Sequence, residues 1–188
     1  MRTGRKPDGC AICFKHSKFS LLSVNPVEFY RRDVPLLDRD NVGLVLLLQP
    51  KIPSAASPAI CVANTHLLYN PRRGDIKLTQ LAMLLAEISS VAHQKDGSLC
   101  PIVMCGDFNS VPGSPLYSFI KPDKTEVLVT AEKLSSNLQH HFSLSSVYSH
   151  YLPDTGIPEV TTCHSRSAIT VDYIFYSAEK EGVAEQPG

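Results

Sequence analysis

The chain has 188 residues, and its 43% hydrophobic and 19% charged content is that of a globular core-former, not a disordered tail. Eighteen basic and eighteen acidic residues cancel, so net charge supplies no general attraction to nucleic acid or membrane. The length suits one domain, the longest apolar run (Val42–Leu48) is too short to cross a bilayer, and no apolar stretch follows the basic Met1–Pro7 opening. Neither a membrane span nor a secretory signal is expected.

In chain order, Cys10–Phe14 reads as the first strand. Its Cys10-Ala-Ile-Cys13 spacing is shared by zinc and redox pairs, but a zinc site needs a second pair and a redox pair opens a helix. The six cysteines (Cys10, Cys13, Cys61, Cys100, Cys105, Cys163) therefore read as small buried side chains in a reducing compartment, with the cytoplasm, and secondarily the nucleus, as the expected address. Further strands are expected at Phe19–Val24, Val42–Leu48, Ile60–Ala63, Ile102–Cys105 and Val171–Tyr176, each bounded by turn-forming residues. Between them, Asp75–Ala92 predicts an amphipathic helix with Leu78, Leu81, Ala82, Leu85, Ile88 and Ala92 on one face and Asp75 as N-cap. A shorter helix after Pro112-Gly113-Ser114-Pro115 takes in Leu116–Ile120.

Lys121–Pro158 is polar and irregular, a loop-rich segment within the domain rather than a second domain. Its adjacent His140 and His141 project differently and have no acidic or sulfur neighbour, so a solvated loop is preferred to a metal site. Strands alternating with helices imply an α/β or α+β fold.

Three strands end in polar residues suited to phosphoester chemistry: Asn64-Thr65-His66, Gly106-Asp107-Phe108-Asn109 and Val171-Asp172-Tyr173. Asp107 and Asn109 are two apart, so on an extended strand end they point the same way, one anionic oxygen beside one neutral amide. That mixture suits a single Mg²⁺, which takes hard oxygen ligands and keeps several waters. The amide is left to donate to the attacking water or to a phosphate oxygen. His66 is a candidate donor to a phosphate oxygen, and Asp172 is suited to orient a histidine in proton transfer. Taken singly, each has a plain alternative: Gly-Asp-Phe-Asn is also an Asx-turn at a strand end. Asp172 resists that reading, because an unpaired charge in an apolar strand is costly.

Asn-Thr-His-Leu, Gly-Asp-Phe-Asn-Ser and Val-Asp-Tyr-Ile-Phe-Tyr-Ser, in this order, resemble the successive motifs of the endonuclease/exonuclease/phosphatase superfamily. Asp8-Gly9-Cys10-Ala11-Ile12 and Asp75-x-Lys77-Leu78-x-Gln80 narrow the resemblance to its CCR4/nocturin branch, over nearly the whole of residues 1–188. It implies a four-layer α/β sandwich of the DNase I-like type, two packed sheets flanked by helices, with Mg²⁺-dependent hydrolysis at the sheet ends. By position, Asp107 and Asn109 match the pair that places metal, water and phosphate, His66 the phosphate-contacting histidine, and Asp172 the partner of the catalytic histidine. The family also has an Asn and a metal-binding Glu upstream of Asp-Gly-Cys and a Ser-Asp-His motif near its C-terminus, neither of which lies within this sequence. The expectation is a partial domain, incomplete at both ends and impaired in turnover, with Lys121-Pro122 joining segments that the family separates by a longer insertion.

The resemblance implies RNA 3′ ends, of mRNA or tRNA, as partners, with no DNA and no membrane. Two activities compete within the branch: removal of 2′,3′-cyclic phosphates and poly(A) shortening. A third reading is a catalytically inactive RNA-binding fragment, to which Arg72 and Arg73 would contribute phosphate contacts. The branch's deadenylases stack the terminal adenine between a proline and a phenylalanine. Pro71 and Ser167 stand at those positions here, and a serine has no π-face.

Overall fold

The computed structural model describes residues 8–52, 57–121, 140–148, 150–165 and 167–177. Its framework is a six-stranded sheet built on β1 (Phe19–Glu28), β2 (Val42–Pro50), β3 (Ile60–His66) and β4 (Ile102–Asp107). Helix α1 (Gly74–Ala92) connects β3 to β4, and the short helix α2 (Pro115–Ile120) follows β4. Beyond them come β5 (Leu144–Ser146), β6 (Thr162–His164), β7 (Ser167–Ile169) and β8 (Asp172–Ser177). The strand order is β1-β2-β3-β4-β8-β5, with β6 and β7 forming a separate two-stranded sheet. Only β3 and β4 run parallel, the expected outcome where a helix makes the crossover; the other described pairs are antiparallel.

Strand alternation sorts the side chains into two faces. Val45, Ala63, Met104 and Phe175 stand in one cross-strand row, all fully buried. They form one core with Leu81, Leu84, Leu85, Ile88 and Ala92 of α1. Burying an aliphatic side chain of this size contributes roughly 1.5–3 kcal/mol, so this layer carries the helix against its conformational cost. The opposite face is also apolar, through Leu46, Val62, Val103 and Ile174, but Val24, Ile174 and Tyr176 on it are 51%, 39% and 42% exposed. The described residues thus supply one sheet and one helical side of the layered architecture that the sequence implies.

Five of the six expected strands are present, four of them longer than expected. Cys10–Phe14 is the exception and forms no strand. The open edge of β2 is taken by β1, no described strand lies beside Cys10–Phe14, and Cys10 instead donates its thiol to the Val42 carbonyl at 3.5 Å. The cysteines also depart from expectation: all six are free, but only Cys61 and Cys100 are buried, and Cys13 and Cys163 are exposed. Burial pushes the Cys61 thiol up to about 12, as suits a packing residue. Asp75 is not the N-cap of α1, because the helix begins one residue earlier behind Arg73; Asp75 sits in the first turn, paired with Arg73. Within the loop-rich segment, β5 belongs to the main sheet through β8, while residues 122–139 lie outside the described structure. His140 is half-buried rather than solvated, its Nε2 against the Phe119 carbonyl at 2.6 Å and its ring stacked on Phe142.

Gly106 adopts φ +146°, and a Cβ there would lie 2.0 Å from the Thr65 carbonyl oxygen of the neighbouring strand. No side chain fits without separating β3 from β4. Gly106→Ala is expected to lower stability by roughly 3 kcal/mol or more, the range of severe backbone strain, read as the shift of the urea unfolding midpoint.

Candidate active site

Three of the sequence-predicted residues fall in one row across three adjacent strands. His66 pairs with Asp107 in the parallel β3–β4 ladder, and Asp107 pairs with Asp172 in the antiparallel β4–β8 ladder. Each lies three positions beyond the buried row, Ala63, Met104 and Phe175, so alternation places all three on the sheet face away from α1. His66 Nε2 is 3.6 Å from Asp107 Oδ2, too long for a hydrogen bond but an ion pair when the ring is protonated. Asp107 retains 29% of its side-chain exposure and His66 43%, so the row is a half-open polar step at the end of an apolar sheet.

Burial is the largest influence on the Asp107 carboxyl and pushes it above the ordinary carboxylate range, with the Asp172 charge acting in the same direction. The Asn109 N–H, His66 and Lys77 oppose them. Asp172 is held more simply. Its Oδ2 accepts from Thr162 Oγ1 at 3.2 Å, and the Thr161 hydroxyl accepts the backbone N–H groups of Val171 and Asp172 at 3.0 and 3.1 Å.

Asn109 is brought to the same place by a different route from the one its spacing implies. β4 ends at Asp107, and Asn109 turns into the left-handed region at φ +47°, so strand alternation does not carry it. An Asx-turn does, with Asn109 N–H donating to Asp107 Oδ1 at 2.8 Å. The turn and the site are the same structure, not alternatives. Asn109 Nδ2 donates to the Leu67 carbonyl at 2.9 Å, which leaves one amide hydrogen and Oδ1 for other partners.

The residues expected to touch substrate are more dispersed. Pro71 and Arg72 are exposed on the loop after His66. Arg73 turns to Asp75 through Nε at 2.9 Å and Nη2 at 2.8 Å, which commits it to the helix start rather than to a phosphate. Ser167 is half-buried and pairs with His164 in the β6–β7 sheet. Given no role in the sequence reading are Thr161, Thr162 and the buried polar residues Asn41, Lys77 and Gln80 behind the site, the last two entering only as motif residues. Nothing in the spacing of the threonines marks them. Lys77 and Gln80 carried a signal, since both interrupt the apolar face of α1 one turn apart. A groove of about 360 Å³, lined by α1, Phe119 and residues 140–142, lies on the helical side of the sheet and contains none of these groups.

Among the described residues no cluster of three His, Cys, Asp or Glu side chains is placed to hold a metal ion. The carboxylate of Asp107 fits a hard cation in kind: its charge is raised in energy by burial and by Asp172, and a cation would relieve both.

This layout, a mixed sheet with an Asp-x-Asn turn flanked by His and Asp at the strand ends, is that of a layered α/β protein with a polar row at the end of its sheet. The chain belongs to the Endonuclease/Exonuclease/phosphatase family, whose model matches residues 1–186. Phosphoesterases of this family are metal-dependent. The chain is 73% identical to Protein angel homolog 2 of Bos taurus and 70% identical to that of Homo sapiens, in each case over all of this chain and 46% of the relative. It therefore spans about half the length of these relatives. The alignments run over 251 positions, so the relatives carry segments that this chain lacks. A crystal structure of ANGEL2, a 2′,3′-cyclic phosphatase, in complex with adenosine-2′,3′-vanadate superposes with TM-score 0.84 at 73% identity, covering 94% of this chain and 61% of that one. The human Nocturnin catalytic domain shares the fold at TM-score 0.59 and 24% identity, over 87% of this chain and 50% of that one.

A raised carboxyl binds its proton more tightly in the folded state than in the unfolded one, so the folded state loses stability as pH rises from the unfolded value through the folded one. Asp107→Asn, which removes that charge, is expected to raise the melting temperature relative to the parent at pH 7 in EDTA. The gain should vanish below about pH 4, where the unfolded carboxyl is itself protonated.

Proposed function

We propose that this chain carries the Asp-x-Asn half of an Mg²⁺-dependent phosphoesterase that acts on RNA 3′ ends and removes 2′,3′-cyclic phosphates. The observation that supports it most is the cross-strand row His66–Asp107–Asp172, two carboxylates and an imidazole on one sheet face beside an anchored amide. The likeness to a 2′,3′-cyclic phosphatase supports the cyclic ester as substrate over a poly(A) tail. Asp107 would hold the ion, and a donor set this small suits Mg²⁺, which keeps several waters and needs only one or two protein carboxylates. When bound, the ion supplies charge stabilisation to the phosphoryl oxygens.

The chain's own groups divide the remaining work. His66 Nε2, exposed beside Asp107, donates to a phosphate oxygen. The uncommitted amide hydrogen of Asn109 is a second donor, held in place because Nδ2 is tied to Leu67. Asp172 keeps Oδ1 to orient an imidazole in proton transfer while Thr162 fixes Oδ2. Cytoplasmic or nuclear RNA is the substrate pool in this reading.

The test compares 3′-hydroxyl and 2′,3′-cyclic phosphate RNA ends, using the 188-residue chain and the same chain completed with the flanking segments of its Bos taurus relative. Mg²⁺-dependent removal of the cyclic phosphate by the completed chain, both phosphoester bonds hydrolysed to leave the 2′,3′-diol and free phosphate, is expected, reduced about 10²-fold or more by Asp107→Ala. Shortening of poly(A) with no action on cyclic ends would replace this reading with a deadenylase.

Base preference gives a second expectation. With Ser167 at the position where an aromatic would stack, selectivity for a terminal adenine over uracil should be weak. Ser167→Phe should raise it roughly 5- to 150-fold if the full stacking energy of about 1–3 kcal/mol is recovered, read as the ratio of kcat/KM on A-ended and U-ended RNA.

A further inference from the structure

Lys77 is a lysine only 5% exposed, in the first turns of α1, on the far side of the sheet from the site row. Its Nζ donates to the Asn109 carbonyl at 2.6 Å, and its charge acts on Asp107. A buried ammonium is costly unless it is hydrogen-bonded and faces an opposite charge, and both conditions are met by this one loop. Three residues on, Gln80 is fully buried. Its Oε1 accepts from the Leu68 N–H at 3.0 Å, and its Nε2 donates to Asn41 Oδ1 at 3.3 Å. Asn41 Nδ2 in turn donates to the His66 carbonyl at 2.9 Å. Residues three apart on a helix share a face, so one turn of α1 reaches both site loops at once.

The loop that receives Lys77 turns through an uncommon backbone conformation, Asn109 at φ +47°. Asparagine tolerates the left-handed region better than other non-glycine residues, but one fixed geometry there is kept only where its surroundings hold it. Asn109 is bonded at its N–H, its Nδ2 and its carbonyl, and of these three bonds only the one from Lys77 comes from the helical layer.

We infer that Lys77 and Gln80 are positioning residues: Lys77 holds the left-handed Asn109 beside Asp107, and Gln80, through Leu68 and Asn41, holds the backbone that presents His66. The catalytic consequence rests on the phosphoesterase reading; the structural one does not.

The experiment pairs amide hydrogen exchange on the 188-residue chain with kinetics on the completed chain, for Lys77→Met, Lys77→Gln and Lys77→Arg. The control is Asn25→Ala, which removes a different tie to α1, the 3.0 Å bond from Asn25 Nδ2 to Glu87 Oε1. Lys77→Met is expected to speed exchange at Asn109 and Ser110 about 10-fold or more while the α1 interior stays protected. It should lower kcat about 10- to 100-fold with KM within roughly threefold, the signature of misplaced groups rather than lost binding. Lys77→Arg should recover most of both effects, with Lys77→Gln between, and Asn25→Ala should produce neither. Unchanged exchange at 109–110, exchange rising uniformly along α1, or an arginine variant as impaired as the glutamine one would overturn the inference. Should Lys77→Met fail to fold, the order of the other two decides. Altered exchange in the 188-residue variants, with every completed chain inactive, parent included, would sustain the positioning role and overturn the phosphoesterase reading.

Discussion

The parallel pairing of β3 with β4 has no tolerance at Gly106, whose hydrogen faces the Thr65 carbonyl at a distance where a methyl group cannot stand. Because the strands close there, the next pair in the register, His66 and Asp107, emerges side by side, and the antiparallel β4–β8 ladder adds Asp172 on the other flank. A slip of one residue in either ladder would turn one member of the row into the helical core. The site is therefore a consequence of register, and the register is kept by the buried row of Val45, Ala63, Met104 and Phe175 a few residues deeper.

Two layers of the molecule cooperate in an uneven way. The apolar contacts of α1 supply the stability, while its first turns supply polar atoms that reach the ends of β3 and β4. Tyr173 adds to this from β8, its hydroxyl donating to the Ser110 carbonyl at 2.8 Å, and burial raises that hydroxyl well above its ordinary value. The segment Asp107–Ser110 is thus bound from helix, β3 end and β8 together. Such a surround fixes the position of a half-buried carboxyl that burial and a second carboxylate push above its ordinary range.

The face that bears the site row differs from the helical face in being only partly covered by the described residues. Ile174 and Tyr176 of β8 and Val24 of β1 are exposed there beside half-buried Val62 and Val103. Apolar residues on both faces explain why these strands read as continuous hydrophobic runs rather than as alternating ones.

Much of this was legible in the amino-acid sequence, for local reasons. Apolar runs ended by Gly, Asn or Asp marked the strands, the 3.6-residue period marked α1, and strand ends carrying His66, Asp107 and Asp172 marked the candidate site. These depend on periodicity and chain order alone. Tertiary structure decided what depends on partners distant in sequence. Cys10–Phe14 has strand composition but pairs with no described strand, and Arg73 has the look of a phosphate ligand but finds Asp75. Asn109 reaches its place by a left-handed turn that strand spacing does not foresee. Lys77 and Gln80, polar interruptions of a helix face, acquire meaning only when the fold sets loops 32 and 12 residues away against them. Composition and period determine which elements form; which buried polar atom meets which carbonyl is set by packing, because a buried donor must find a partner wherever the fold places one.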